Sequence, residues 1–170
     1  AIVCPGDLPT KIPQKPMATH RESRAIARPP EQIFDIVADV ERYPEFLPLI
    51  REARIFRRDE DVYETEQTLA LGLLTHRFRT RTALVRPHGI TVVSDDQAFC
   101  RFDIRWQFAP LGEDSCHVDF TLDCESRSFF LMPVIQLLVL PMATSMVDSF
   151  EARVHALAVG AGRPETPRES

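Results

Sequence analysis

The chain has 170 residues, 44% hydrophobic and 26% charged, the balance of one globular domain rather than of a disordered chain. Twenty Lys and Arg against 25 Asp and Glu give a formal charge of −5, which excludes a nucleic-acid binder, DNA included, working through its whole surface. Cys4, Cys100, Cys116 and Cys124 show no C-x-x-C pair and no histidine at metal-ligand spacing, so the expectation is no metal and reduced, mostly buried thiols in a cytosolic or matrix-like compartment.

Residues 1–17 contain Pro5, Pro9, Pro13 and Pro16 and no continuous apolar core, so they read as an N-terminal arm or extension rather than a secretory leader. Residues 18–160 form the domain, and 161–170 a flexible tail. Thr19 to Arg28 suits an edge strand. Pro29-Pro30-Glu31 opens a helix, because proline fits the first turn and a carboxylate there faces the positive dipole end. Ile33, Phe34, Ile36, Val37 and Val40 supply its apolar face, and the prolines of Tyr43–Pro48 break it into a short second turn.

From Arg51 the period becomes two. Strands are expected near 51–58, 62–71, 75–86, 90–95, 100–109 and 115–124, with turns at 59–61, 87–89 and 110–114. A long helix follows over 128–159. Its stripe of Ile135, Val139, Met142, Met146, Phe150, Val154 and Leu157 keeps spacings of three and four, and Pro141 predicts a kink or a break into two helices. The fold class is α+β: a curved antiparallel sheet of about six or seven strands against a long C-terminal helix, the packing that hides both apolar faces.

Outward positions pair by charge: Glu64 and Glu66 face Arg77, Arg79 and Arg81, while Arg101 and Arg105 face Asp119 and Asp123. Inward positions are mixed. Tyr63, Thr65, Gln67, Leu69, His76, Phe78, Thr80, Thr82 and Leu84 share one face, so polar groups point where a core should be. Each needs a partner, supplied either by its neighbours in a filled interior or by a ligand. Phe78, Phe102, Trp106, Phe108 and Phe120, with Ile135, Val139, Met142 and Met146 from the helix, form either plain core or the walls of an apolar tunnel. Gln67, Thr80 and Thr82 are then the head-group candidates.

No charged residue occurs between Arg127 and Asp148. That run is long enough to raise the question of a membrane span, but Pro133, Gln136, Pro141, Thr144 and Ser145 interrupt it. It reads instead as a helix buried on its own sheet, or one lining a cavity while Phe129, Phe130 and Leu131 touch a membrane surface. Catalysis finds little support. His20, His76, His88, His117 and His155 are scattered, and neither a nucleophile elbow, an H-E-x-x-H nor a glycine-rich phosphate loop is present. The expectation is no catalytic residue and no cofactor.

The run Asp39-Val40-Glu41-Arg42-Tyr43-Pro44-Glu45-Phe46-Leu47-Pro48 resembles the signature of the coenzyme Q-binding protein family, which also contains bacterial ribosome association toxins and belongs to the START-like, or polyketide cyclase/dehydrase, superfamily. Phe78-Arg79-Thr80-Arg81, Trp106-Gln107-Phe108 with Pro110-Leu111, and Met146 to Arg153 match in the same order. Two departures are Gln97-Ala98-Phe99, where members often carry Gly-Pro-Phe, and Leu49-Ile50 after the signature, where Trp-Cys is common. The resemblance implies a helix-grip fold with a hydrophobic tunnel. It also implies a non-enzymatic carrier of ubiquinone or a related isoprenoid lipid that supports respiratory electron transport. Such a carrier is cytoplasmic and peripheral at the inner membrane, or on the matrix side in a mitochondrion. Two alternatives stand beside it. One is a ribosome-associated protein that blocks subunit joining, with Arg51, Arg54, Arg57 and Arg58 as its phosphate-facing patch. The other is a cyclase/dehydrase-like enzyme, for which His76 is the inward titratable group.

Overall fold

Alternating burial along six consecutive segments produces most of the architecture. The computed structural model describes residues 17–127 and 132–161, with the helical side chains described at Gln136 and from 143 to 160. Strands β1 (Met17–Ile26), β2 (Ile50–Arg58), β3 (Val62–Leu71), β4 (Leu74–Val85), β5 (Gly89–Val93), β6 (Phe99–Gly112) and β7 (Ser115–Ser126) form one antiparallel sheet in the order β1-β7-β6-β5-β4-β3-β2. The sheet is curved and open, and the long helix α2 (Met132–Ala161) packs on its concave side with α1 (Pro30–Ala38) beside it. This is the helix-grip plan. The edge strand expected at 19–28 lies two residues earlier.

In α1, Pro29 is the extended cap residue and Pro30 the first helical one, and Ile33, Phe34 and Val37 are buried on one face. Tyr43 then anchors a 3-10 helix (Val40–Glu45), because its hydroxyl donates to the Val37 carbonyl. In β6, Phe102, Ile104, Trp106 and Phe108 point inward; in β7, Cys116, Val118, Phe120, Leu122 and Cys124 do so. Each large side chain so buried contributes about 1.5–3 kcal/mol.

Several local expectations are corrected. Strand β6 runs through Pro110 to Gly112, with a register shift there, so the turn shrinks to Glu113-Asp114; proline is tolerated because an irregular rung needs no N–H from it. A second shift between Phe99 and Arg101 turns Cys100 outward, so this thiol is exposed. Helix α2 runs past Pro141 as one helix rather than two, since proline removes one donor and leaves the rungs before and after it in place. Ala143, Met146, Val147, Phe150 and Val154 form its buried seam, while Leu157 is exposed.

On the outer face, Glu66 of β3 accepts from Arg54 of β2 (2.8 Å) and Arg79 of β4 (3.3 Å), and these bonds, Arg54's foremost, hold its carboxyl below the usual carboxylate range. Glu64 lies 3.8 Å from Arg57, and Arg101 lies 3.9 Å from Asp123. Arg105 does not reach the acids of β7. Thr121 stands opposite it, so it bonds Asp103 two residues back at 2.8 Å, while Asp119 accepts from Ser23 of β1.

Helix and sheet meet in a knot of rings. Phe150 packs edge-on against Tyr43 and Phe46, each at 5.2 Å between centroids, and against Trp106 at 5.3 Å. Arg24 of β1 holds Asp148 and Glu151 of α2. Phe150→Ala should therefore cost about 3–5 kcal/mol, read as a lowered urea midpoint with an unchanged m-value.

A second expectation concerns alkaline pH. Burial pushes the Cys116 thiol up to about 11, the Cys124 thiol up to about 12, and the Tyr63 phenol up to about 12. The unfolded chain releases these protons near the ordinary 9.0 and 10.0, where the folded chain still holds them. Their stabilisation is complete below pH 9 and is lost as pH rises through 9–12. Urea midpoints across that range should fall, and replacing both thiols by alanine should move the onset up toward the phenol's 10.0.

Candidate functional site: an apolar cleft with a polar wall

Between the concave sheet and α2 the described residues enclose a cleft of about 30 Å³. Phe78, Val92, Phe102, Ile104 and Trp106 make its sheet side, Met146 its helix side, and Val40, Tyr43 and Ile50 one flank. One wall is polar. Thr65 and Thr80 are directly opposed on β3 and β4, their hydroxyls 2.7 Å apart, and the Gln67 amide donates to both, at 3.1 and 3.4 Å. Thr82 stands opposite Tyr63, whose hydroxyl donates to the Ala38 carbonyl at 2.9 Å. Thr65, Gln67 and Thr80 thus hydrogen-bond one another, as buried hydroxyls and amides must.

Of the residues singled out by parity, Phe78, Phe102, Trp106, Met146, Gln67, Thr80 and Thr82 all line this cleft. Phe108 and Phe120 are buried but lie off it. Phe108 packs against Phe34 of α1 at 6.0 Å, and Phe120 sits behind Trp106 at 4.6 Å. The side chains of Ile135, Val139 and Met142, and the whole of Phe129, Phe130 and Leu131, lie outside the described residues. Parity reasoning passed over Tyr43, Val40 and Ile50 as lining residues; the signal for Tyr43 was the Tyr-Pro-Glu-Phe-Leu-Pro run itself.

The described lining holds two titratable groups, Tyr43 and Tyr63. Burial pushes both phenols up, Tyr43 well above the usual tyrosine value, so both are protonated at neutral pH and act as donors. His76 lies at the near end of β4, stacked on Phe78 at 6.0 Å and edge-on to Phe99, with its Nε2 buried and unpartnered. The arginines of β2 are mostly engaged: Arg54 with Glu66, Arg57 with Glu64, Arg58 over the Tyr63 ring at 5.2 Å. Outside the sheet, where β5 stops at Val93, Phe56, Arg79, Arg81 and Ser94 border an open depression of about 440 Å³. In place of Gly-Pro-Phe, the loop before β6 is closed by Asp96, whose carboxylate accepts from the Ala98 amide at 2.9 Å.

Among the described residues no helix is long and apolar enough to cross a membrane, and no His, Cys, Asp and Glu cluster is arranged to hold a metal ion.

Comparison with known proteins agrees with this geometry. The family described as polyketide cyclase / dehydrase and lipid transport matches residues 26–151. A Pseudomonas aeruginosa protein named ribosome association toxin RatA is 33% identical over 142 residues, covering 83% of this chain and 99% of its own. A Xenopus laevis protein named coenzyme Q-binding protein COQ10 homolog B, mitochondrial, is 25% identical over 152 residues, covering 87% of this chain and 61% of its own. The crystal structure of the Zhui aromatase/cyclase from Streptomyces sp. R1128 superposes with a TM-score of 0.75 at 13% identity, over 87% of this chain and 99% of that one, a likeness of fold alone. From the last residue of β1 into α2, through sheet, cleft and ring knot alike, the chain belongs to the polyketide cyclase/dehydrase and lipid transport family.

Proposed function

We propose that the protein is a non-enzymatic carrier for a quinone or another isoprenoid lipid, held in the cleft beneath α2. The observation that carries this reading is the division of the cleft into aromatic and aliphatic walls on one side and the Gln67–Thr65–Thr80 network, with Thr82 and Tyr63, on the other. A carbonyl-bearing ring on an apolar tail matches that division. The tail supplies affinity at about 25 cal/mol per Å² buried, before ordering costs, and the amide and hydroxyls orient the ring. The two lining tyrosines, kept protonated by burial, give their single O–H groups to the Val37 and Ala38 carbonyls, so the groups left to orient such a ring are the Gln67 amide and the threonine hydroxyls. The relative named as coenzyme Q-binding supports the same ligand class.

At about 30 Å³ the cleft has room for water, whereas a benzene-sized ring occupies a cavity of about 150 Å³. Binding therefore requires helix and sheet to part. All seven strands are held to their neighbours by backbone hydrogen bonds, while the described ion pairs holding α2 to the rest fall at Asp148, Glu151 and Arg153 in its C-terminal half. These pairs are the fixed end of α2 when helix and sheet part. Such a carrier works at the surface of the membrane that holds its lipid.

Ribosome association is the second reading, favoured by the 33% identical relative so named. Its arginine patch is reduced by the pairing of Arg54 and Arg57, leaving Arg51 and Arg58 as the members with no ion pair among the described residues, Arg58 lying over the Tyr63 ring.

The sole tryptophan, Trp106, lines the cleft and reports on it directly. Titration with a short-tailed ubiquinone should quench its fluorescence, and Gln67→Leu should weaken that binding about five- to tenfold, the worth of one lost hydrogen bond. Solvent extraction of the freshly purified protein should release an isoprenoid lipid. Absence of both quenching and extractable lipid, with co-sedimentation on ribosomal subunits instead, would transfer the assignment to the second reading.

A further inference from the structure

The β3–β4 hairpin ends in Leu71-Gly72-Leu73-Leu74, with Leu71 and Leu74 as its last pair. Gly72 has φ +60°, and Leu73 is not in the positive-φ region, so glycine at the first central position satisfies the turn. The second position of such a turn accepts almost any residue, and polar ones suit solvent there. Yet Leu73 occupies it, with a relative exposure of 105%, and Leu74 beside it is 37% exposed. Nothing in the fold covers Leu73, and Leu74 is covered only in part. Their apolar character therefore serves something outside the chain.

What that partner is follows from the surroundings. The hairpin projects past β2, whose first pairing is Ile50 with Leu69. Met17, opening β1, is exposed at the same end of the sheet, and there too the chain leaves β7 at Arg127 toward α2. A two-leucine tip covers far less than the roughly 800 Å² per partner of a specific protein interface. A bilayer asks for no shape complementarity, only for apolar atoms at the level of the acyl chains and cations at the level of the headgroups. Both are present. From Gln67 to His76 the hairpin carries no acidic side chain and no lysine or arginine, and Arg51 and Arg77 stand exposed at its base, with Glu52 beside Arg51 and Glu66 3.7 Å from Arg77. Arg127 adds a third exposed cation at that end.

We propose that the Leu73–Leu74 hairpin is a membrane-docking tip, which inserts into an anionic bilayer surface with Arg51, Arg77 and Arg127 at headgroup level. The proposal deepens the carrier reading, since it names the surface from which the cleft would be loaded, and it stands at the same end of the sheet as the N-terminal half of α2.

The test is flotation of the full chain with vesicles of phosphatidylcholine and phosphatidylglycerol. Leu73→Asp should lower partitioning about tenfold or more, because a leucine leaves the apolar layer and a like charge enters it. The substitution removes no contact, so circular dichroism and the urea midpoint should stay those of the parent; Leu73→Asn, uncharged and suited to the turn, should give a smaller loss in the same direction. Leu111→Asp, at an exposed leucine beside the β6–β7 turn at the opposite end, serves as the control and should float like the parent. Parent protein that does not float, Leu73→Asp floating as well as the parent, or an equal loss in Leu111→Asp would each overturn the proposal. Quinone quenching of Trp106 in vesicle-free buffer separates the two readings. Leu73→Asp should retain it; a parent that floats but shows no quenching retires the carrier reading and leaves the docking tip standing.

Discussion

Everything in this molecule turns on a sheet that places hydrogen-bonding groups on its concave face and still buries that face. Thr65, Gln67, Thr80 and Thr82 are buried among aromatic rings, where an unmet donor or acceptor would cost about 1–3 kcal/mol. The direct opposition of Thr65 and Thr80 on adjacent strands, with Gln67 two residues on, lets the groups satisfy one another. The interior is thus polar along one wall without being unstable. A purely apolar core of the same size would close more tightly and would have nothing to offer a ligand's oxygen atoms.

The helix side answers this with packing rather than polarity. Met146 reaches the cleft, Phe150 locks into Tyr43, Phe46 and Trp106, and Ala143 and Val147 let the backbone approach. The signature run therefore does two jobs. Its prolines and Tyr43 shape the 3-10 turn, and its rings form the socket for Phe150. Arg153 reinforces the junction by pairing with Glu45 and lying over Phe46 at 5.4 Å. Rings and ion pairs together anchor α2 firmly at this end.

Much of this was legible before any coordinates, because parity decides which face a strand residue takes. The approximate strand positions, the inward set from Tyr63 to Leu84 and a long helix laid across a curved antiparallel sheet came from period two and period 3.6, and the resemblance added the helix-grip fold. What parity does not carry is depth and register. Trp106, Phe108 and Phe120 share a face, yet α1 lays Phe34 over Phe108, and Trp106 itself covers Phe120, so only Trp106 meets the cleft. Arg105 finds Asp103 rather than an acid on β7 because the register sets Thr121 against it. Cys100 faces out because an extra residue in the strand reverses the alternation locally. Leu157 continues a correct helical stripe on a stretch of α2 where the described neighbours form a shallow, solvent-open groove.

The arginines of β2 have a consequence that concerns no ligand. As the last strand in the order, β2 is a sheet edge where another extended chain could pair, and the Glu41 carboxylate already takes its Ile55 amide at 3.0 Å. It also carries Arg51, Arg54, Arg57 and Arg58, and its pairing with β3 is interrupted twice by register shifts. Like charges and a broken ladder make that rim a poor template for a second copy. The sheet is thereby guarded against pairing with a second copy along this border, and the positive charge there has a reason to exist whatever it meets in the cell.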